Sequence, residues 1–168
     1  MTLHTDLLEQ ARHLVRRDAK RPKQVNLRRA VSSAYYALFH LLVADGAKGV
    51  RPAAVRDHVR RLYEHGAMKS VCKAWAVGMP TNLPASTGTM VSAPIEPQLT
   101  DVASAFVRLQ NARHAADYDL TRTFNRLYSI SLLGSAEQAF RDWAAVRTTP
   151  NAGVFLAALL FEKQWKGR

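Results

Sequence analysis

The chain has a single cysteine, Cys72, which excludes an intramolecular disulfide framework and a multi-cysteine zinc site. A reduced, cytoplasmic setting is the natural expectation. Long apolar runs are also missing. The longest, Ala152–Phe161, is interrupted by Gly153 and falls far short of the roughly 20 residues a membrane span needs. The start, Met1-Thr2-Leu3-His4-Thr5-Asp6, lacks the basic-then-apolar pattern of a secretory leader, so no membrane partner is expected. There is no Gly-rich dinucleotide fingerprint and no phosphate loop. His13, His58, His65 and His114 show no metal-ligand spacing with carboxylates, so neither a metal nor a cofactor is anticipated. Strand-type alternation never exceeds a few residues, and no repeat of solenoid period occurs. Acidic residues are scarce: 13 Asp and Glu stand against 24 Lys and Arg, a net charge of +11.

That surplus is uneven. Residues 1–61 carry 13 basic and 5 acidic side chains. Seventeen of the 24 basic residues are arginine, whose planar fork suits bidentate phosphate contacts. A polyanionic partner is therefore expected, with RNA, DNA and an acidic protein all compatible.

Hydrophobic residues make up 48% of 168, enough to bury a core in one domain spanning 1–168. Their spacing is helical. Leu3, Leu7, Ala11, Leu14 and Val15 form one face of a first helix. Asp18–Gln24, with Pro22, reads as a turn. The second helix is predicted from Val25 or Asn26 to Ala44 or Asp45, stopped by Gly46. Its apolar stripe is Leu27, Val31, Ala34, Leu38, Leu41 and Leu42, while Arg29, Ser33, Tyr36 and His40 share the opposite face. A third helix starts at Pro52 and reaches Glu64, and Ala67–Ala76 adds a short one. Residues 78–98, with four prolines, read as a long loop. Thr100 is the candidate N-cap of a helix with Val102, Phe106, Leu109, Arg113, Ala116 and Leu120 in one sector. The next runs from about Thr121 to Val146, on Phe124, Leu127, Tyr128, Leu132, Ala136, Ala139, Phe140 and Trp143, with Gly134 as a possible kink. An accessory helix over 150–165 closes the chain and suits a subunit interface. The predicted class is an all-α, up-and-down bundle of four to six helices with one long Pro-rich loop.

The most informative stretch is Leu109–Asp119. An inward Arg113 needs compensation, and Asp117 lies one turn on, so an i,i+4 pair is available. Two readings of Arg113 remain open here: a structural clamp with Asp117, or a phosphate contact facing a cleft. Asn111, Asp117 and Tyr118 either line that cleft or brace helices. The cluster Arg56-Asp57-His58-Val59-Arg60-Arg61 reads as a solvated face or a patch that tracks phosphates.

Two of these segments resemble a known family. Arg28-Arg29-Ala30-Val31-Ser32-Ser33-Ala34-Tyr35-Tyr36-Ala37-Leu38-Phe39-His40 resembles the second-helix signature of HEPN domains. Arg113-His114-Ala115-Ala116-Asp117-Tyr118 resembles the Arg-x-x-Ala-Asp-Tyr element of an uncharacterised HEPN branch, and Lys48-Gly49-Val50 is similar to the link between the two. The resemblance covers about residues 5–147 apart from the Pro-rich loop. It implies a helical bundle, often a homodimer. Many members are metal-independent endoribonucleases of toxin–antitoxin or phage-defence systems, some paired with a nucleotidyltransferase-type antitoxin. Others are non-catalytic modules that bind nucleic acid, a nucleotide or a partner protein. Catalytic members carry Arg, four to six residues, then His, with Arg on the scissile phosphate and His moving the proton of the ribose 2′-hydroxyl.

In this chain the window after Arg113 holds Tyr118, Asp119 and Leu120 and no His, whereas Arg108 is followed at that spacing by His114. The candidate catalytic set is therefore Arg113 with His40, His114 and Tyr118. The candidate nucleic-acid contacts are Arg29, Tyr36, Arg56, Arg60, Arg61 and Arg108, with Asn111 and Asp117 as bracing residues.

Overall fold

A computed structural model describes residues 2–166. Among them there is no strand, and eight α-helices and two short 3-10 turns follow one another along the chain, more than the four to six predicted. None of these helices is long and apolar enough to cross a membrane. The chain is all-α and separates into two compact units, residues 1–41 with 105–140 and residues 42–104 with 141–168.

The first unit contains α1 (Leu3–Arg16), most of α2 (Gln24–Lys48), the later part of α6 (Pro97–Tyr118) and most of α7 (Arg126–Val146). Its core includes Val15, Leu27, Val31, Tyr35, Leu38, Phe106, Leu109 and Leu132, all nearly or fully buried. Tyr35 meets Phe106 edge-on at 5.5 Å between ring centres. Polar ties frame this core. Ser33 donates to Gln10 at 2.9 Å, joining α2 to α1, and Arg12 pairs with Glu137 at 2.6 Å, joining α1 to α7. On α1 the buried face is Leu8, Ala11 and Val15, and Leu3, expected on that face, is exposed.

The second unit holds α3 (Arg56–Arg60), α4 (His65–Trp75), α5 (Ala85–Gly88) and α8 (Pro150–Lys166), with the end of α2, the start of α6 and the end of α7. Trp75 and Trp143 flank Phe155, at 5.1 and 6.3 Å between ring centres, and Met68, Cys72 and Leu159 are buried in the same unit. Asp45 accepts the Trp143 indole N–H at 2.7 Å and pairs with Lys48, with Arg147 at 3.6 Å.

Several predicted boundaries move, each for a local reason. Gly46 does not stop α2, which continues to Lys48. Its missing side chain makes room for the Tyr63 hydroxyl, which stands where a Cβ would project. The third helix shrinks to a 3-10 turn at Ala53–Val55 and the five residues of α3, leaving Leu62 in solvent. Gly78, at φ +75°, lies just past the end of α4, the backbone region where glycine carries no steric penalty. The stretch 78–98 is not a plain loop. It holds a 3-10 turn at Pro80–Asn82 and α5, and it buries Leu83, Thr87 and Ile95.

Proline at N1, not Thr100, marks the start of α6. The same device opens α8 at Pro150, where the Thr149 hydroxyl accepts the Ala152 amide at 3.3 Å. The next predicted start also shifts, from Thr121 to Arg126. Asn125 is the real cap, accepting the Tyr128 amide at 2.8 Å. Asp119 turns the chain beforehand by accepting the Thr121 and Arg122 amides at 3.0 and 3.2 Å. Leu120 and Leu127, predicted as core, are therefore 87% and 81% exposed.

Candidate nucleic-acid interface

Everything in the following cluster lies in the first unit. The α1–α2 connection and the α6–α7 connection are laced together. Arg126 donates to the carbonyls of Ala19, at 2.8 Å, and Asp18. Gln24 exchanges two hydrogen bonds with the backbone of Phe124, at 2.7 and 2.9 Å. Arg28 donates to the carbonyls of Ala116, Asp119 and Arg122 at 2.8, 2.9 and 2.5 Å, covering the C-terminal end of α6. Its guanidinium also sits over the Phe124 ring at 5.6 Å, and Arg122 faces the Phe124 and Tyr128 rings at 5.4 and 5.5 Å.

These bonds gather positive charge. Arg16, Arg17, Lys20, Arg21 and Lys23 are all exposed on or beside the first connection, with Arg29 on α2 and Arg122 on the second. The two acids of the cluster are turned to backbone work. Asp18 lies below its ordinary value because the Lys23 amide and the Asn26 side chain donate to it. Asp119 is lowered in the same way by the Thr121 hydroxyl and amide. Beside them opens a shallow groove of about 490 Å³, with Val25, Arg28, Arg29, Ala116, Asp117, Tyr118 and Leu120 as its walls.

Arg113 stands next to this groove. Its Nε lies 2.7 Å from the Asp117 carboxylate one turn on, but off the line of an aligned hydrogen bond. Its terminal NH2 donates to the Tyr36 hydroxyl at 2.6 Å, and Ser32 donates to the second oxygen of Asp117 at 2.6 Å. The rings of Tyr35, Tyr36 and Tyr118 surround the guanidinium at 5.9, 5.2 and 5.5 Å. Burial opposes its charge, yet Tyr36 and Asp117 more than offset this and hold its pKa above the ordinary arginine value. The Asp117 pair is present, and Asp117 and Tyr118 also line the groove.

The two candidate histidines flank this centre. His40, half-buried one turn beyond Tyr36, stacks on it at 6.2 Å between ring centres. Burial, and then the charge of His4, push the His40 pKa down. His114 is exposed and contacts the Tyr118 ring at 5.1 Å. The result is a contiguous row His40–Tyr36–Arg113–Tyr118–His114.

The remaining candidates fall elsewhere. Arg108 donates to Ser135, and Asn111 is exposed on α6. Arg56, Arg60 and Arg61 belong to the second unit. There Arg56 donates to the Val50 carbonyl at 3.1 Å and Arg60 pairs with Asp57 at 2.6 Å. Sequence reasoning missed Ser32, Arg28, Arg122 and Arg126. Ser32 could have been found, since it sits four residues before Tyr36 on the same helix face. Arg28 and Arg126 gave no signal, because their partners are backbone carbonyls about 90 residues or more away, and Arg122 faces the nearby Phe124 and Tyr128 rings.

Among the described residues, no group of three His, Cys, Asp or Glu side chains is placed to hold a metal ion. No protein-family model, curated protein or solved structure matches the chain.

Proposed function

We infer that this chain is an RNA-directed protein that holds the sugar–phosphate backbone at the laced end of its first unit. One observation carries the reading: seven exposed cations border the two connections and the groove beside them, while the acids of those connections, Asp18 and Asp119, accept backbone amides. Phosphate contacts of this kind dominate nucleic-acid affinity. Tyr118, 64% exposed at the groove, offers a ring on which an unpaired base can stack. The resemblance to HEPN proteins favours RNA among the polyanions that the charge allows. It also favours a homodimer and a cognate antitoxin of nucleotidyltransferase type.

A second reading, metal-independent RNA cleavage, is favoured by the row from His40 to His114. In that reaction one histidine of the row takes the 2′-hydroxyl proton, O2′ attacks phosphorus, and the bond to the 5′-oxygen breaks as that oxygen takes a proton from the other histidine, giving a 2′,3′-cyclic phosphate. Arg113 neutralises the phosphate oxygens after exchanging its Asp117 contact for them.

The test uses a fluorescein-labelled 12-nucleotide single-stranded RNA. Binding is followed by anisotropy, and cleavage is followed in EDTA. Wild type is expected to bind, and Lys20→Glu with Arg21→Glu to bind far more weakly. Equal affinity in the two proteins overturns the interface. Cleavage that both Arg113→Ala and His40→Ala abolish, with folding intact, establishes the second reading. Binding without cleavage leaves a binding module.

A further inference from the structure

The arginines around α3 do not join the laced end, and the fold gives them a place of their own in the second unit. Residues 51–62 leave the end of α2 and return at Tyr63 as a short arm. The arm is fixed at its two roots. Arg56 donates to the Val50 carbonyl at 3.1 Å, and the Val50 amide donates to the Ala47 carbonyl at 3.1 Å. At the other root Tyr63 is buried, with its hydroxyl in the space beside Gly46. Between the roots almost nothing packs. Neither the 3-10 turn at Ala53–Val55 nor α3 contains a buried residue, and Leu62 is 62% exposed.

The chemistry of the arm is that of a surface for anions. Four of its twelve residues are arginine, none is lysine, and Asp57 is the single acid. Asp57 pairs with Arg60 at 2.6 Å in an exposed bridge, of a kind that water and salt weaken. Arg51 and Arg61 are exposed, and among the described residues their side chains have no hydrogen-bond or ion-pair partner. Four like charges within twelve residues repel one another, and a polyanion relieves that repulsion. Guanidinium forks match pairs of phosphate oxygens, which a nucleic-acid strand repeats at every step. A protein partner calls for an apolar centre, and the large apolar side chains that the arm exposes are Val55 and Leu62 alone.

We propose that residues 51–62 form a second phosphate-binding surface, which holds an RNA strand through Arg51 and Arg61 with Arg56 and Arg60 beside them. The proposal rests on the RNA-directed reading of the protein but uses residues of the other unit, so it can fail while the laced end stands.

The experiment uses the full chain and a fluorescein-labelled 30-nucleotide single-stranded RNA, with anisotropy as the readout. It compares Arg61→Glu with Lys73→Glu, which makes the same charge change at an exposed position of α4 in the same unit. Arg61→Glu should weaken binding about fivefold or more and reduce the slope of log affinity against log salt by at least about 0.7, the share of one single-strand phosphate. Lys73→Glu should stay within about twofold of wild type, since it touches no phosphate. Arginine modification by phenylglyoxal, read by mass spectrometry on wild type, needs no variant to fold: RNA should shield Arg51 and Arg61. The proposal is overturned if the two variants weaken binding equally, or if RNA leaves both arginines as reactive as before. Shielding by polyglutamate and not by RNA would assign the arm to an acidic protein and overturn it as well. Lys20→Glu with Arg21→Glu separates the two surfaces. If that variant binds like wild type while Arg61→Glu is weakened, the laced end fails and the arm stands. The reverse pattern removes the arm and keeps the laced end, and a wild type that binds no RNA overturns both.

Discussion

Arg113 shows how one side chain can couple packing to chemistry. Its charge is balanced by Asp117 and its NH2 is bonded to Tyr36, so replacing it leaves a largely enclosed carboxylate with Ser32 alone. Arg113→Ala should cost about 2 kcal/mol of stability, read from urea unfolding. A loss near zero would show that the Asp117 pair is not a clamp. His40 gives a pH signature. Its folded pKa lies below the ordinary 6.5, so the unfolded chain binds the proton more readily. Stability should therefore be full above about pH 6.5 and fall as pH drops below it. His40→Gln should flatten that part of the profile, and an unchanged slope would mean another group is responsible. Gly46→Ala should destabilise by about 1–3 kcal/mol through collision with Tyr63. Adding Tyr63→Phe should recover part of that loss, and strict additivity of the two changes would contradict the contact.

At the scale of elements, the start of α8 stabilises the Pro-rich segment as well as itself. Buried Asn151 accepts the Ser92 amide at 2.9 Å and donates to the Ser92 carbonyl at 2.9 Å and to Glu96 at 3.0 Å. Three bonds on one side chain hold a segment that otherwise has little regular structure. Asn151→Ala should raise proteolytic cleavage within 78–98 severalfold while leaving the rest of the chain resistant. Unchanged cleavage would place the anchor elsewhere, in the buried Leu83 and Ile95. The helices themselves were legible in outline. In α2 and α6 apolar residues recur at helical spacing, but α2 is buried on most of its sides, so it shows no sharp division into an apolar and a polar face. Their ends were less legible. Periodicity ran on through Leu120 and Leu127, whereas the ends were decided by Asp119, Asn125 and Pro97, whose caps and turns act over only a few residues.

At the scale of the molecule, charge is the property most open to test. The first unit carries twelve basic and six acidic side chains, and seven of the cations border its two connections. If all seven meet phosphates of a single strand, log affinity should fall with log salt at a slope of about −5. Lys20→Glu with Arg21→Glu should reduce that slope by at least about one unit. A flat salt response would exclude phosphate contacts as the source of affinity.

The sequence alone determined the all-helical class, the charge surplus and the availability of an Arg113–Asp117 pair, because helical periodicity, net charge and i,i+4 spacing are all local properties. Only tertiary structure decided which residues surround Arg113. Tyr36 is 77 residues away in the chain, and Arg28 and Arg126 reach carbonyls about 90 residues or more away. Backbone acceptors carry no side-chain signature, so no pattern of residue types could have announced those bonds. The cavity lined by α4, the Pro-rich segment and α8 is likewise a product of packing, since these become its walls only once the second unit is assembled.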